Sequence, residues 1–183
     1  MTITIDARIA AVLLLVTGGA LLKAQPDATT IRARSFVLED ENGATRAILA
    51  VTRDGPGFAL YDGKGKPRAT LGLSIDGPSL VLSDENDTPR AAVHLVADGP
   101  GLTLSDAQGR PRAQVNTNAA GPRIALSDAT GIPRAAIGVT AAGPVIGLAD
   151  GIDKPRATLA APAGGPASLV LFAADGRANW RAP

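Results

Sequence analysis

The dipeptide Gly-Pro returns at a fixed interval. It stands at Gly55-Pro56, Gly77-Pro78, Gly99-Pro100, Gly121-Pro122, Gly143-Pro144 and Gly165-Pro166, so every step is 22 residues. Self-similarity at such a period means that one supersecondary unit is copied along the chain and that copies stabilise one another. Proline blocks helix at and before itself, so no helix of useful length fits between the dipeptides. Two further ladders run in phase. Arginine recurs at Arg46, Arg68, Arg90, Arg112, Arg134 and Arg156, each followed by alanine, and aspartate recurs at Asp40, Asp62, Asp84, Asp106, Asp128 and Asp150.

Each copy holds two short segments in which large apolar residues alternate with small or polar ones, the period of a strand. The first is exemplified by Phe58-Ala59-Leu60-Tyr61 and Leu80-Val81-Leu82-Ser83, and the second begins at the arginine, with Ala69, Leu71 and Leu73 alternating. A tight turn of the form Asp-x-x-Gly separates them, with Asp87 and Asp153 replacing glycine in two copies. The aspartate side chain accepts from amides two residues on, and glycine tolerates positive φ. The second turn is expected to be centred on Gly-Pro. The end copies depart from the pattern: Ala173 replaces the aspartate, and Trp180, the only tryptophan, falls where the Arg-Ala pair belongs. Trp180 reads as a cap over the final layer.

The fold class expected is an all-β tandem 22-residue repeat. A β-solenoid is favoured, one coil per copy, with two parallel sheets facing across a thin core. An antiparallel meander, or an oligomeric prism built from one, is the alternative. In the meander a four-residue loop places Leu60 opposite Ala69 and Phe58 opposite Leu71, and the long single sheet then needs a cover from its own curling or from sister chains. Residues 31–183 would make about seven such copies, following a linker at 25–30.

Residues 9–22 form an apolar run broken only by Thr17 and two glycines. As a helix it would span about 21 Å, short of the ~30 Å hydrocarbon core and close to a signal-peptide core in length. Residues 1–24 are therefore expected to form a short N-terminal apolar helix that precedes the repeat and serves as a membrane anchor or uncleaved signal, with a cleaved signal as the alternative. The repeat domain would then be extracytoplasmic, periplasmic or at the cell surface.

Chemistry-bearing residues are scarce. There is no cysteine, one histidine (His94) and a formal net charge of +1 from 18 basic and 17 acidic residues. Thiolate metal sites and cysteine nucleophiles are excluded, and the charge balance offers no electrostatic footprint for nucleic acid. No catalytic, cofactor-binding or metal-ligating residue is assigned. The Asp62, Asp84, Asp106, Asp128 and Asp150 row and the Arg68, Arg90, Arg112, Arg134 and Arg156 row are expected to form a structural network that locks the turns, because like charges stacked in one row need an opposite row beside them. In a general way the array resembles tandem β-repeat proteins of bacterial envelopes.

The function expected is a non-catalytic, membrane-tethered structural or interaction module, an accessory or scaffolding subunit whose partners are integral membrane or envelope proteins or copies of itself. A secreted glycan-binding or homotrimeric stalk module is the second expectation, and a polysaccharide-active enzyme the third.

Overall fold

The structure is a computed structural model that describes residues 31–151 and 154–182. The apolar run, the linker and Asp153 lie outside the described residues. Fourteen strands follow one another: β1 (Ser35–Glu39), β2 (Thr45–Thr52), β3 (Gly55–Tyr61), β4 (Pro67–Ser74), β5 (Gly77–Ser83), β6 (Pro89–Val96), β7 (Gly99–Ser105), β8 (Pro111–Asn118), β9 (Gly121–Ser127), β10 (Pro133–Thr140), β11 (Gly143–Gly151), β12 (Lys154–Ala160), β13 (Ser168–Phe172) and β14 (Ala178–Ala182). They form one sheet in sequence order, from β1 at one edge to β14 at the other.

Every pairing between the described strands is antiparallel. The parallel stacking of coil on coil, in two facing sheets, is absent from these pairings. The turns give the reason: both connections in a copy reverse the chain within a few residues, whereas parallel neighbours need a crossover of a dozen or more. The registers Leu60↔Ala69 and Phe58↔Leu71 are those expected for a four-residue loop.

The turns at Asp40, Asp62, Asp84, Asp106 and Asp128 are built alike. The Asp62 amide donates to the Lys66 carbonyl at 2.9 Å, and the Gly65 amide donates to the Asp62 carbonyl at 3.1 Å. Asp62 Oδ1 accepts from the amides of Lys64 and Lys66 at 2.8 and 3.1 Å. The fourth position takes positive φ, +76° at Gly65 and +64° at Asp87. This is the three-to-five-residue hairpin that pairs a type I turn with a left-handed residue and a bulge, and a register shift sits beside it, between Leu60 and Tyr61.

The opposite turns are tighter than the sequence suggests. Thr52 pairs with Gly55, Ser74 with Gly77 and Val96 with Gly99, so the loops are Arg53-Asp54, Ile75-Asp76 and Ala97-Asp98. Gly-Pro therefore opens a strand instead of occupying the bend. The glycine is required by a neighbour: a Cβ on Gly55 would lie 1.9 Å from the Leu73 carbonyl oxygen, and one on Gly77 would lie 2.0 Å from that of Leu95, each with φ near +120°. Each copy thus abuts the backbone of the next at a point where only hydrogen fits.

Candidate functional site

Alternation along strands and register between them sort the side chains onto two faces. On one face three apolar rows cross the sheet. The central row reads Phe36, Leu49, Phe58, Leu71, Leu80, Val93, Leu102, Val115, Ile124, Ile137, Ile146, Leu159 and Leu169, each opposite the next. A flanking row alternates leucine with alanine, from Leu38↔Ala47 through Leu104↔Ala113 to Leu171↔Trp180. The third pairs a strand's last apolar residue with proline, as at Leu73↔Pro78 and Leu95↔Pro100. None of these positions carries a charge.

Nothing within the described residues covers this face. Leu71 is 53% exposed, Val115 44% and Phe58 37%, and among the described residues the only buried apolar ones are Ala47, Ala125 and Val170. The apolar rows thus face no second layer across a thin core, because a single sheet has none to offer. A sheet with one apolar face is stable when that face packs on another element, and a patch of this length is far larger than monomeric proteins expose.

The other face is made of small and polar residues. Its middle row includes Ala59, Thr70, Val81, Ala92, Thr103 and Gln114. Shallow grooves run over it, one of about 470 Å³ against Ile48, Ala59 and Thr70. His94 lies on this face, half-buried, its ring over Gly101 so closely that a Cβ there would be 2.5 Å from Nε2. Among the described residues no three His, Cys, Asp or Glu side chains gather where an ion could sit.

Both charge ladders also stand at this face, at its Asp-turn end. Arg68 sits on β4, its Nη1 3.3 Å from Asp62 Oδ2 in its own turn, while its Nε donates to the Ser83 carbonyl of β5 at 2.9 Å. Arg90 repeats this with Asp84 and Ser105. Arg112 does so with Asp106 and Ser127, with Arg110 adding a second ion pair to Asp106 at 3.0 Å. Each guanidinium therefore ties one copy's turn to the next copy's strand, using donors in two directions as its planar fork permits. Arg134 and Arg156 pair with Asp128 and Asp150 at 2.6 and 2.8 Å. In the last copy the turn has Ala173 in place of the first aspartate: the Gly176 amide donates to the Ala173 carbonyl at 3.0 Å, and Asp175 Oδ1 accepts from the Arg177 amide at 3.0 Å. Trp180 is on the apolar face, half exposed at 48%, opposite Leu171 on the edge strand.

The carboxyls of Asp62, Asp84, Asp106, Asp128 and Asp150 are held below the ordinary carboxylate range. At Asp62 the cause is first the amides of Lys66 and Lys64 and then Arg68. At Asp84 it is the Asn86 amide, then that of Thr88 and the Arg90 side chain, against some desolvation. At Asp106 desolvation is the largest influence and opposes the shift, but the amides of Arg110 and Gln108 with the Arg110 side chain outweigh it. Asp128 is lowered first by the Thr130 hydroxyl, and Asp150 first by Arg156. These are carboxylates held in their charged form by hydrogen bonds to it, and each has its donors inside the chain.

Sequence patterning placed the two ladders and both sets of strand residues. It did not find the close approach at Gly55 and its equivalents, whose signal was the unbroken recurrence of glycine before proline. No known protein family matches the chain, and no curated protein matches it. Among the described residues no helix is long and apolar enough to cross a membrane.

Proposed function

We propose that this chain is a non-catalytic interaction module of a membrane or envelope protein complex. Residues 1–24 hold it at the membrane, and the repeat domain on the extracytoplasmic side serves as an accessory or scaffolding element. The observation that carries the reading is the apolar face: three uncharged rows cross the sheet, and none of the described residues covers it. A surface of this kind is completed by protein. Scarcity of nucleophiles and ligands in the sequence supports the non-catalytic part, and the turn hydrogen bonds already employ the aspartates that a hydrolase would need.

The test is extraction of the native protein from membranes in mild detergent, followed by mass spectrometry of whatever remains attached. The expected result is an N-terminus retained through Leu22 and a stoichiometric assembly. A chain cleaved near Ala24 that comes away as a free monomer would overturn both the tether and the interaction module.

A further inference from the structure

The apolar face is completed by two further copies of this chain, we infer, arranged about a three-fold axis as a triangular prism. This deepens the reading of the chain as an interaction module and rests on it.

Extent is the first argument. Fourteen strands at ~4.8 Å make a stripe about 65 Å long, and three rows spaced at two residues make it about 14 Å wide, a footprint of roughly 900 Å². Shared between two neighbours it gives about 450 Å² toward each, and as a whole it is the area that a stable specific interface takes from one chain, ~800 Å². The stripe has no charged residue, so its occupant is apolar along the same length.

Period is the second. The stripe repeats every two strands because the sequence repeats every 22 residues. A copy of the same chain has that spacing by construction, so a contact made once is made again at each copy. Self-association about a closed axis is also the common route to oligomers.

The third argument is the grading of size across the face. The central row is large at every strand, as at Leu71, Leu80 and Leu102, while the flanking rows alternate with alanine or proline, as at Ala69 and Pro78. Two sheets face to face are ~10 Å apart everywhere and take similar bulk in every row. Three sheets enclose a triangle. With strands of seven residues, about 24 Å, the middle of each side stands roughly 7 Å from the axis, a depth that a leucine, isoleucine or phenylalanine fills, while the corners close on the neighbouring backbone and admit small residues. A three-fold axis along the stripe also puts all three β1 edges at one end.

The experiment uses the full chain in mild detergent. Native mass spectrometry is expected to give about 55 kDa, three times the 18.4 kDa of one chain. The chain has no cysteine, so Leu102→Cys and Thr103→Cys each introduce a single thiol, on opposite faces of β7. A short bismaleimide should link Leu102→Cys chains to one another and leave Thr103→Cys chains unlinked. A mass of two copies overturns the three-fold arrangement. One copy bound to other proteins, with the Leu102→Cys thiol protected, overturns self-association while the interaction module stands. A monomer whose Leu102→Cys thiol reacts freely overturns both.

Discussion

The two faces of this sheet are made from the same strands, yet among the described residues only one of them is finished. On the small-residue face, side-chain hydrogen bonds close within a copy or between neighbours: Asp84 Oδ1 accepts from Asn86 and Thr88, and Arg90 reaches the Ser105 carbonyl. Among the described residues no buried side-chain nitrogen or oxygen is without a partner. On the other face the central row is left open from Phe36 to Leu159. The difference is one of range. A hydrogen bond needs a partner about 3 Å away, and the next copy supplies it. Apolar burial needs a second layer, and the described strands, all in one sheet, do not supply one. The array is locally satisfied and globally incomplete.

A charge in the central row should break this asymmetry with the largest effect. Leu102→Lys would put an ammonium in the covered face of every copy, and a buried unpaired charge costs several kcal/mol. Loss of the assembled mass and a large fall in melting temperature are expected. Thr103→Lys, one residue away on the finished face, should leave the assembled mass intact. Equal effects from both would mean that the faces do not differ as described.

Next in size is the abutment between copies. Gly77→Ala sets a Cβ 2.0 Å from the Leu95 carbonyl oxygen at φ +119°, where left-handed strain and the clash together should cost about 2–3 kcal/mol. Gly65→Ala provides the contrast: its φ is +76° but its surroundings are open, so the cost should be about 1 kcal/mol. Urea midpoints of the two variants would measure the gap, and a Gly77→Ala protein as stable as Gly65→Ala would show that the strand has room to move.

Acid should act on the finished face alone. Asp62, Asp84, Asp106, Asp128 and Asp150 all have pKa values lowered by folding. The unfolded chain therefore binds more protons in acid than the native chain does, so this stabilisation is complete above the ordinary carboxylate pKa and fades as pH falls below about 4. Melting temperature should be level from neutral pH to about pH 5 and decline below, without the assembly first coming apart. Dissociation at higher pH would place a titrating group on the apolar face, where none is found.

How much of this could be read from residues follows the same division. Period, strand positions, the Leu60↔Ala69 register and the pairing of the Arg and Asp ladders all come from chemistry within one copy or between adjacent copies, so they leave a mark in the sequence. The choice between parallel coils and antiparallel hairpins did not, because both place the same alternating residues on one face. What decides it is the turn geometry, and the bend at Arg53-Asp54 has no glycine or proline of its own to announce it: the Gly-Pro that follows takes its place in the pattern while opening the strand. The cover of the apolar face is beyond any such reading, because it concerns atoms that the copy does not contain.

The smallest expected effect tests the finished face at a turn that lacks the usual glycine. Asp87 occupies the left-handed position that glycine takes at Gly43, Gly65, Gly109 and Gly131, with φ +64°. A side chain there is disfavoured by about 1 kcal/mol. Asp87 recovers part of this through Lys66, whose Nζ is 3.1 Å from Asp87 Oδ2 and also donates to the Glu85 carbonyl at 3.0 Å. Both partners are well exposed, so the pair is worth little in water and less in salt. Asp87→Gly should therefore stabilise the protein slightly, by about 0.5 kcal/mol, with the gain growing as salt screens the pair in the parent. A loss of stability in the variant that shrinks at high salt would show that the Lys66 pair outweighs the backbone strain at Asp87, and that this end of the finished face depends on charge as well as on backbone geometry.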